Sequence, residues 1–303
     1  MNTTSPALIE RLRKLEPYLA GSILGQAHVI SRVVSVLHRG ELGLSTLGRP
    51  RGSFLLLGPT GVGKTELTIE FTRYLFGNDR LFRFDMSEFQ TQDTIGLLLG
   101  ARIGDVGLLA RPLAGGNEGT LLFDEIEKAH PRVLDLLLQI LDAARVTMAS
   151  GETLDFSNFY VVLTSNLGAF EILNLQHSSF ATMERHVLAK AQQSLRPELF
   201  ARITEKLVFN RLSYDVQLEI ARAILARELD RLRGRGFVIG IEEGVIPFLV
   251  QHGFHPRLGA RPMRDAVEKF IRDACARQLL NGSILKAGRL SVRGNQLELA
   301  ASL

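Results

Sequence analysis

The chain holds one cysteine, Cys275, among 303 residues. A single thiol excludes an intrachain disulfide and a cysteine-based zinc cluster. Its setting, Ile271-Arg272-Asp273-Ala274-Cys275-Ala276-Arg277, reads as helix, where a small thiol is expected to pack in the core rather than to react. Long hydrophobic runs are missing too, since nothing approaches the about 18 consecutive apolar residues of a membrane span. The N-terminal stretch carries Glu10, Arg11, Arg13 and Lys14 with no apolar segment, so no secretory signal is expected and the cytoplasm is the expected location. Charge of one sign is also scarce. Lys plus Arg number 36 against 32 Asp plus Glu, a net +4, and so small a surplus does not predict nucleic-acid binding, which needs clustered cations. Arg231, Arg233 and Arg235 form one cationic group without interleaved aromatics, so a solvated helix end is expected there. No repeat or low-complexity segment is visible.

What is present is an ordinary globular balance, 46% hydrophobic and 22% charged, which argues against disorder. At roughly 150 residues per domain the length predicts about two domains. Leu8, Ile9, Leu12 and Leu15 recur at helical spacing, so residues 1–20 read as a short helical lead-in, 21–26 as a break and 27–42 as a second helix. A Gly/Pro/Ser-rich loop follows over 43–52. Beyond it, short apolar runs at 54–57, 81–84, 121–123, 160–163 and 207–209 alternate with longer amphipathic stretches. These runs are too short for helices and lack period-two alternation, as expected of strands covered on both faces of a parallel α/β sheet. The texture then turns helical at 215–233, 242–251 and 261–280, with a closing strand pair at 289–292 and 296–299 turning on Gly294-Asn295. A boundary is expected near 210–213, separating a large α/β domain over 21–210 from a smaller, mainly helical one over 211–303.

Gly58-Pro59-Thr60-Gly61-Val62-Gly63-Lys64-Thr65 fits the P-loop pattern G-x-x-x-x-G-K-[ST]. The glycines let backbone N–H groups face phosphate oxygens, Lys64 supplies a point charge at the β/γ oxygens, and the Thr65 hydroxyl can ligate magnesium. An apolar strand ends at Leu57 and an amphipathic helix carrying Leu67, Phe71 and Leu75 opens just after, so the helix N-terminus adds its own N–H groups. A second acidic site is expected beside such a loop, and Thr120-Leu121-Leu122-Phe123-Asp124-Glu125 delivers two carboxylates at a strand end. Adjacent strand residues point to opposite faces, so the two are expected to differ in role. Asp124 is the candidate for Mg²⁺ and Glu125 for orienting and deprotonating an attacking water. Asn166, at the end of the run 160–165, can help to position that water; its alternative is a turn-forming Asn before Leu167-Gly168.

With these pieces in order, the chain resembles the AAA+ ATPases, in particular the C-terminal ATPase module of the Clp-type unfoldases and disaggregases, over about residues 20–295. The resemblance rests on residues 58–65 with Glu66-Leu67, on Leu122-Phe123-Asp124-Glu125-Ile126-Glu127-Lys128-Ala129-His130-Pro131, on Thr164-Ser165-Asn166-Leu167-Gly168, on Leu195-Arg196-Pro197-Glu198 and on Gly259-Ala260-Arg261-Pro262. It implies a P-loop NTPase fold, a parallel sheet flanked by helices, followed by a small, mainly helical lid domain. It also implies ATP and Mg²⁺ as cofactors, ATP hydrolysis, a hexameric ring with nucleotide between subunits, and a protein client that is remodelled. Within the resemblance Arg202 matches the arginine finger offered to the neighbouring subunit, Arg261 the sensor arginine of the small domain, Asn166 the polar sensor, and Ile23 and Leu24, with Gly25-Gln26, the segment packed around adenine. An arginine supplied in trans neutralises charge in phosphoryl transfer and makes hydrolysis depend on assembly.

The sequence departs from the family pattern in several places. The substrate-gripping pore loop of the family carries an aromatic in Gly-Tyr-Val-Gly, and the matching stretch here is Gly104-Asp105-Val106-Gly107. An aromatic grips many side chains through area burial, whereas a ring of carboxylates does not. The alternative function is therefore a nucleotide-gated scaffold or adaptor that threads no polypeptide, and Asp105 has the local alternative of a turn residue. The segment 107–119 also looks shorter than in the threading enzymes. Ala201 replaces the usual Asn before Arg202, and Thr204 the usual Asp after Ile203. The stretch 169–194 lacks the Ile-Gly-Phe/Leu tripeptide of peptidase-docking relatives, so no peptidase partner is expected; Ile95-Gly96-Leu97 has that composition at a different place. The large N-terminal domain and first ATPase module of the double-ring disaggregases have no counterpart in these residues. His252 and His255 suggest a turn through Gly253 and Pro256 rather than a metal pair.

Overall fold

The computed structural model describes residues 5–100, 106–175, 177–280 and 287–300. Two compact units divide the chain, residues 1–59 with 63–210, and residues 60–62 with 211–303. In the first, the strands in chain order are β1 (Gly52–Leu57), β2 (Leu81–Asp85), β3 (Gly119–Asp124), β4 (Arg145–Thr147), β5 (Thr153–Asp155), β6 (Phe159–Ser165) and β7 (Glu205–Val208). Five of them form a parallel sheet in the order β2-β3-β6-β1-β7, while β4 and β5 pair antiparallel on their own.

The three central strands β1, β3 and β6 are buried at every position. Their near-continuous apolar runs follow from that, because both faces of the sheet are covered. On β1, Leu55 and Leu57 join the cluster that holds Phe123, Val161, Leu163, Ile140 and Phe156. Phe54 points the other way, as period-two strand geometry requires, and packs 6.0 Å from Phe71, which meets Tyr160 edge-on at 6.0 Å. Each large side chain buried in this way contributes about 1.5–3 kcal/mol. β2 departs from the expected burial. It is an edge strand with Arg83 exposed and Phe84 alone fully buried, because it has a neighbour on one side.

The helix Pro6–Ser22 starts where the Ser5 hydroxyl accepts the Leu8 N–H and Pro6 occupies the first turn. It runs two residues beyond the expected lead-in and belongs to the first unit, burying Leu12, Leu15 and Leu19 and placing the Tyr18 hydroxyl 2.6 Å from Glu70 Oε2. The parallel register sets the carboxyl ends of the central strands level, with Leu57 beside Ser165 and Phe123 beside Leu163. Ligands of open parallel sheets bind along such an edge.

The second unit packs the helices Tyr214–Arg233, Val245–Gly253 and Met263–Leu280 around Leu225, Leu249, Val267 and Ile271. Ser213 caps the first of these helices. A three-stranded sheet adds β8 (Val238–Ile241), parallel to β9 (Ala287–Arg293), which returns through Gly294 at φ 60° into antiparallel β10 (Gln296–Ala300). β8 coincides with the apolar run Phe237-Val238-Ile239-Gly240-Ile241, which was not expected as a strand, and it lies on the sheet edge. Cys275 is buried, and that burial pushes its thiol up from the ordinary value. Glu228 is buried too and accepts from Arg231 and Arg272 at 3.1 and 3.0 Å. His252 and His255 are occupied separately: His252 bridges the Phe248 carbonyl and Asn295, and His255 accepts the Arg257 and Leu258 N–H groups of its own turn. Among the described residues no helix is long and apolar enough to cross a membrane, and no cluster of three His, Cys, Asp or Glu could hold a metal.

Candidate phosphate site

Between β1 and the helix Lys64–Phe76 the backbone passes through Gly58, Gly61 and Gly63 at φ 138°, 74° and 109°. These left-handed values are open to glycine and strained for other residues. At Gly58 space is also lacking, since a Cβ would stand 2.9 Å from the Phe209 carbonyl oxygen. Gly63 sits at the helix N-cap and has no side chain to cap the first turn, and a helix N-terminus with its dipole is a place where anions bind. Pro59, Thr60 and Val62 complete the loop, and Thr65 follows Lys64 within the first helical turn. A Cβ on Gly63 would meet Ile23 Cγ2 at 3.6 Å. Ile23 is buried at the end of the helix Pro6–Ser22, with half-buried Leu24 next to it. Just beyond, the fully buried Gln26 side chain pairs with both backbone groups of Asn210, at 2.9 and 3.0 Å, and so ties this segment to the end of β7.

Lys64 is buried. Its ammonium donates to the carbonyls of Gly58 and Pro59 and, at 3.1 Å, to Asn166 Oδ1. Desolvation lowers its pKa to about 8, against the opposing pull of Glu127, Asp124 and Glu125. Asn166 follows the end of β6 and passes the connection on, its Nδ2 donating to Glu125 Oε1 at 3.3 Å. Its N–H donates to Glu127 Oε1 at 3.0 Å. One amide therefore links the loop lysine to the candidate base.

Asp124 and Glu125 diverge, but not through strand pleating. β3 ends at Asp124, and Glu125 turns left-handed at φ 59° to open the short 3₁₀ turn Ile126–Lys128. That kink, rather than period-two alternation, separates the two carboxylates. It is anchored by Thr164, whose hydroxyl donates to Asp124 Oδ1 and accepts the Glu125 N–H at 3.1 Å. Asp124 Oδ2 lies 2.5 Å from Arg83 Nη2, and Glu125 Oε2 lies 2.6 Å from Lys128 Nζ. Arg83, Lys128 and Thr164 were not singled out by sequence reasoning. Thr164 lies one step past the pair Phe123–Leu163, a position legible only once β6 is known to neighbour β3.

Arg202, last residue of the helix Pro197–Arg202, pairs with Asp142 at 2.8 Å, both side chains being about two-fifths exposed. Arg261 is an exposed residue of the second unit, two positions before the helix Met263–Leu280. Thr204, where the family pattern has Asp, exchanges hydrogen bonds with Ser53 across β1 and β7. Asp105 lies outside the described residues.

Thr65 offers a hydroxyl, Asp124 a buried carboxylate and the loop glycines a backbone that carries N–H donors. That is the chemistry magnesium and a polyphosphate require.

The AAA domain (Cdc48 subfamily) family matches residues 49–206, and the C-terminal D2-small domain of ClpB matches residues 212–292. Heat shock protein 100 of Trypanosoma brucei brucei is 38% identical over 279 residues, covering 89% of this chain and 32% of that protein. The chaperone protein ClpB of Dichelobacter nodosus is 38% identical over 289 residues, covering 93% and 34%. The chain thus spans about a third of the length of these relatives. Hsp104 solved with ATPγS and FITC casein superimposes with a TM-score of 0.87 at 32% identity, over 98% of this chain and 53% of that one. The Hsp104–ADP complex of S. cerevisiae also gives 0.87, at 30% identity, over 99% and 54%. With the first match covering more than half of its residues, the chain belongs to the AAA domain family of the Cdc48 subfamily, joined to a small domain of the ClpB D2 type.

Proposed function

We propose that this chain binds ATP with magnesium, hydrolyses the γ-phosphate, and uses the cycle as a hexameric ring to remodel a protein partner. The observation that carries the reading is the unbroken side-chain path from Lys64 through Asn166 to Glu125, with Asp124 fixed beside it. In this reading the N–H groups of residues 58–63 and the Lys64 ammonium hold the phosphates, and Ile23 and Leu24 flank the adenine. Thr65 and Asp124 hold magnesium, which neutralises charge on the transferring phosphoryl group. Glu125 takes the proton of the attacking water while Asn166 orients that water. Arg202 serves a neighbouring subunit's γ-phosphate, and Arg261 acts as the sensor of a lid domain that begins after Asn210. Hsp104 was solved with ATPγS, ADP and FITC casein, which supports a nucleotide cofactor and a protein client. Docking to a peptidase is not part of the reading.

Replacing Glu125 by Gln keeps the shape and removes the base. Mg²⁺-dependent hydrolysis is expected to fall by at least about a hundredfold while ATP affinity, measured by titration calorimetry, stays near that of the wild type. Turnover at the wild-type rate would overturn the assignment. Asp105 favours the second reading, a nucleotide-gated adaptor. The two part on whether the wild-type chain unfolds a tagged polypeptide and loses that ability in Asp105→Ala, which only a threading enzyme would do.

A further inference from the structure

We propose that Lys128 is a positioning residue for Glu125, clamping one carboxylate oxygen so that the other is presented toward Asn166. The inference rests on the reading of Glu125 as the base. The backbone brings the two together: Glu125 stands at φ 59° and ψ 52°, and the Lys128 N–H closes a turn onto the Glu125 carbonyl at 2.9 Å. A non-glycine residue in that conformation is strained and persists only where surrounding contacts hold it. Here those contacts are the Thr164 hydroxyl on the Glu125 N–H and the turn itself.

The kink aims the side chain but does not fix it, because a glutamate has three side-chain torsions. Two partners remove that freedom, and they are unequal. Asn166 Nδ2 reaches Oε1 at 3.3 Å, while Lys128 Nζ reaches Oε2 at 2.6 Å. Asn166 also accepts from Lys64 through its other atom, so its amide cannot turn toward a phosphate without disturbing one of these bonds. Lys128 has no such second duty at the loop. The clamp therefore holds Oε2, and Oε1 is the oxygen presented to the Asn166 amide. In return the Glu125 carboxylate holds the Lys128 ammonium above its ordinary range, helped by Asp85 and Glu127. The pair is 45% and 33% exposed, so solvent screens it and it contributes little to folding. What it supplies is orientation, the quantity on which proton abstraction depends steeply.

The test is steady-state ATP hydrolysis and ATP binding by the full chain carrying Lys128→Met, Lys128→Arg or Glu125→Gln. The clamp predicts that Lys128→Met lowers kcat about tenfold with KM, ATP affinity and melting temperature unchanged. Lys128→Arg should recover most of the loss, since a guanidinium can reach the same oxygen. A Lys128→Met chain whose kcat stays within about twofold of wild type, or which loses affinity instead of turnover, overturns the clamp. With Glu125→Gln inactive, either result leaves the base reading standing. If Glu125→Gln turns over normally, both assignments fall together.

Discussion

Burial strips water from the Lys64 ammonium, and three carboxylates do not fully compensate, so its pKa falls to about 8. The sign of the consequence follows directly. Below about pH 8 the side chain is charged; as pH rises through that value it becomes neutral and loses its attraction for phosphate. A triphosphate beside it favours the ammonium, so binding above about pH 8 must take up a proton. ATP affinity is expected to be nearly level below that pH and then to fall by up to about tenfold per unit. Calorimetry in buffers of different ionisation enthalpy should show uptake approaching one proton per ATP. Affinity that is flat from about pH 7 to about pH 9 would mean that Lys64 is not the titrating group at the phosphates.

At the level of elements, the helix Pro131–Ala143 shows how a local defect is tolerated. It ends at Ala144, which stands left-handed at φ 51° although it carries a Cβ. Glycine is the usual residue at such a helix end, and an L side chain there costs about 1 kcal/mol. The conformation is held because Ala144 donates to Ile140 at 2.8 Å and its carbonyl accepts Phe156 at 2.7 Å, joining the helix to the segment after β5. Ala144→Gly is expected to raise unfolding stability by about 0.5–1 kcal/mol in urea denaturation. A loss of stability would show that the buried methyl contributes more than the backbone strain costs. Gly168 presents the opposite case. It is left-handed at φ 80°, and a Cβ there would lie 2.5 Å from Val187 Cγ1, so both conformation and space demand glycine at the start of the helix Ala169–Asn174.

For the whole molecule, the decisive question is whether one chain completes its own site. The Lys64, Asn166 and Glu125 side chains belong to one unit and form one hydrogen-bonded path, with Asp124 of the same unit joined to Glu125 through Thr164. Arg202 is instead engaged with Asp142, an exposed pair of the kind that contributes at most about 1 kcal/mol. So weak a partner can be given up for a phosphate on a neighbouring protomer, where an arginine accelerates phosphoryl transfer strongly. Mixing Arg202→Ala chains into wild type at fixed total protein should therefore depress hydrolysis below simple dilution. A strictly proportional fall would show that each chain acts alone.

Several parts of this protein were readable before folding. The loop Gly58–Thr65, the strand end at Asp124-Glu125 and Asn166 are local patterns, because phosphate cradling and buried strands impose their residue types on contiguous stretches. The same holds for the three central strands, whose apolar runs follow from coverage on both faces. The three-residue strands β4 and β5 left too few residues for any periodicity. Strand order is not local either. It decided that Thr164 would stand by Asp124, that Arg83 on β2 would reach the same carboxylate, and that one amide would join Lys64 to Glu125. The left-handed turn at Glu125 belongs with these, since its cost is offset by contacts from another strand. Sequence by itself determined the residue types offered along the loop and at the strand ends, because chemistry selects them in contiguous stretches. Tertiary structure decided which of them touch, because hydrogen bonds and ion pairs act over a few ångströms while the partners lie from 39 to 102 residues apart in the chain.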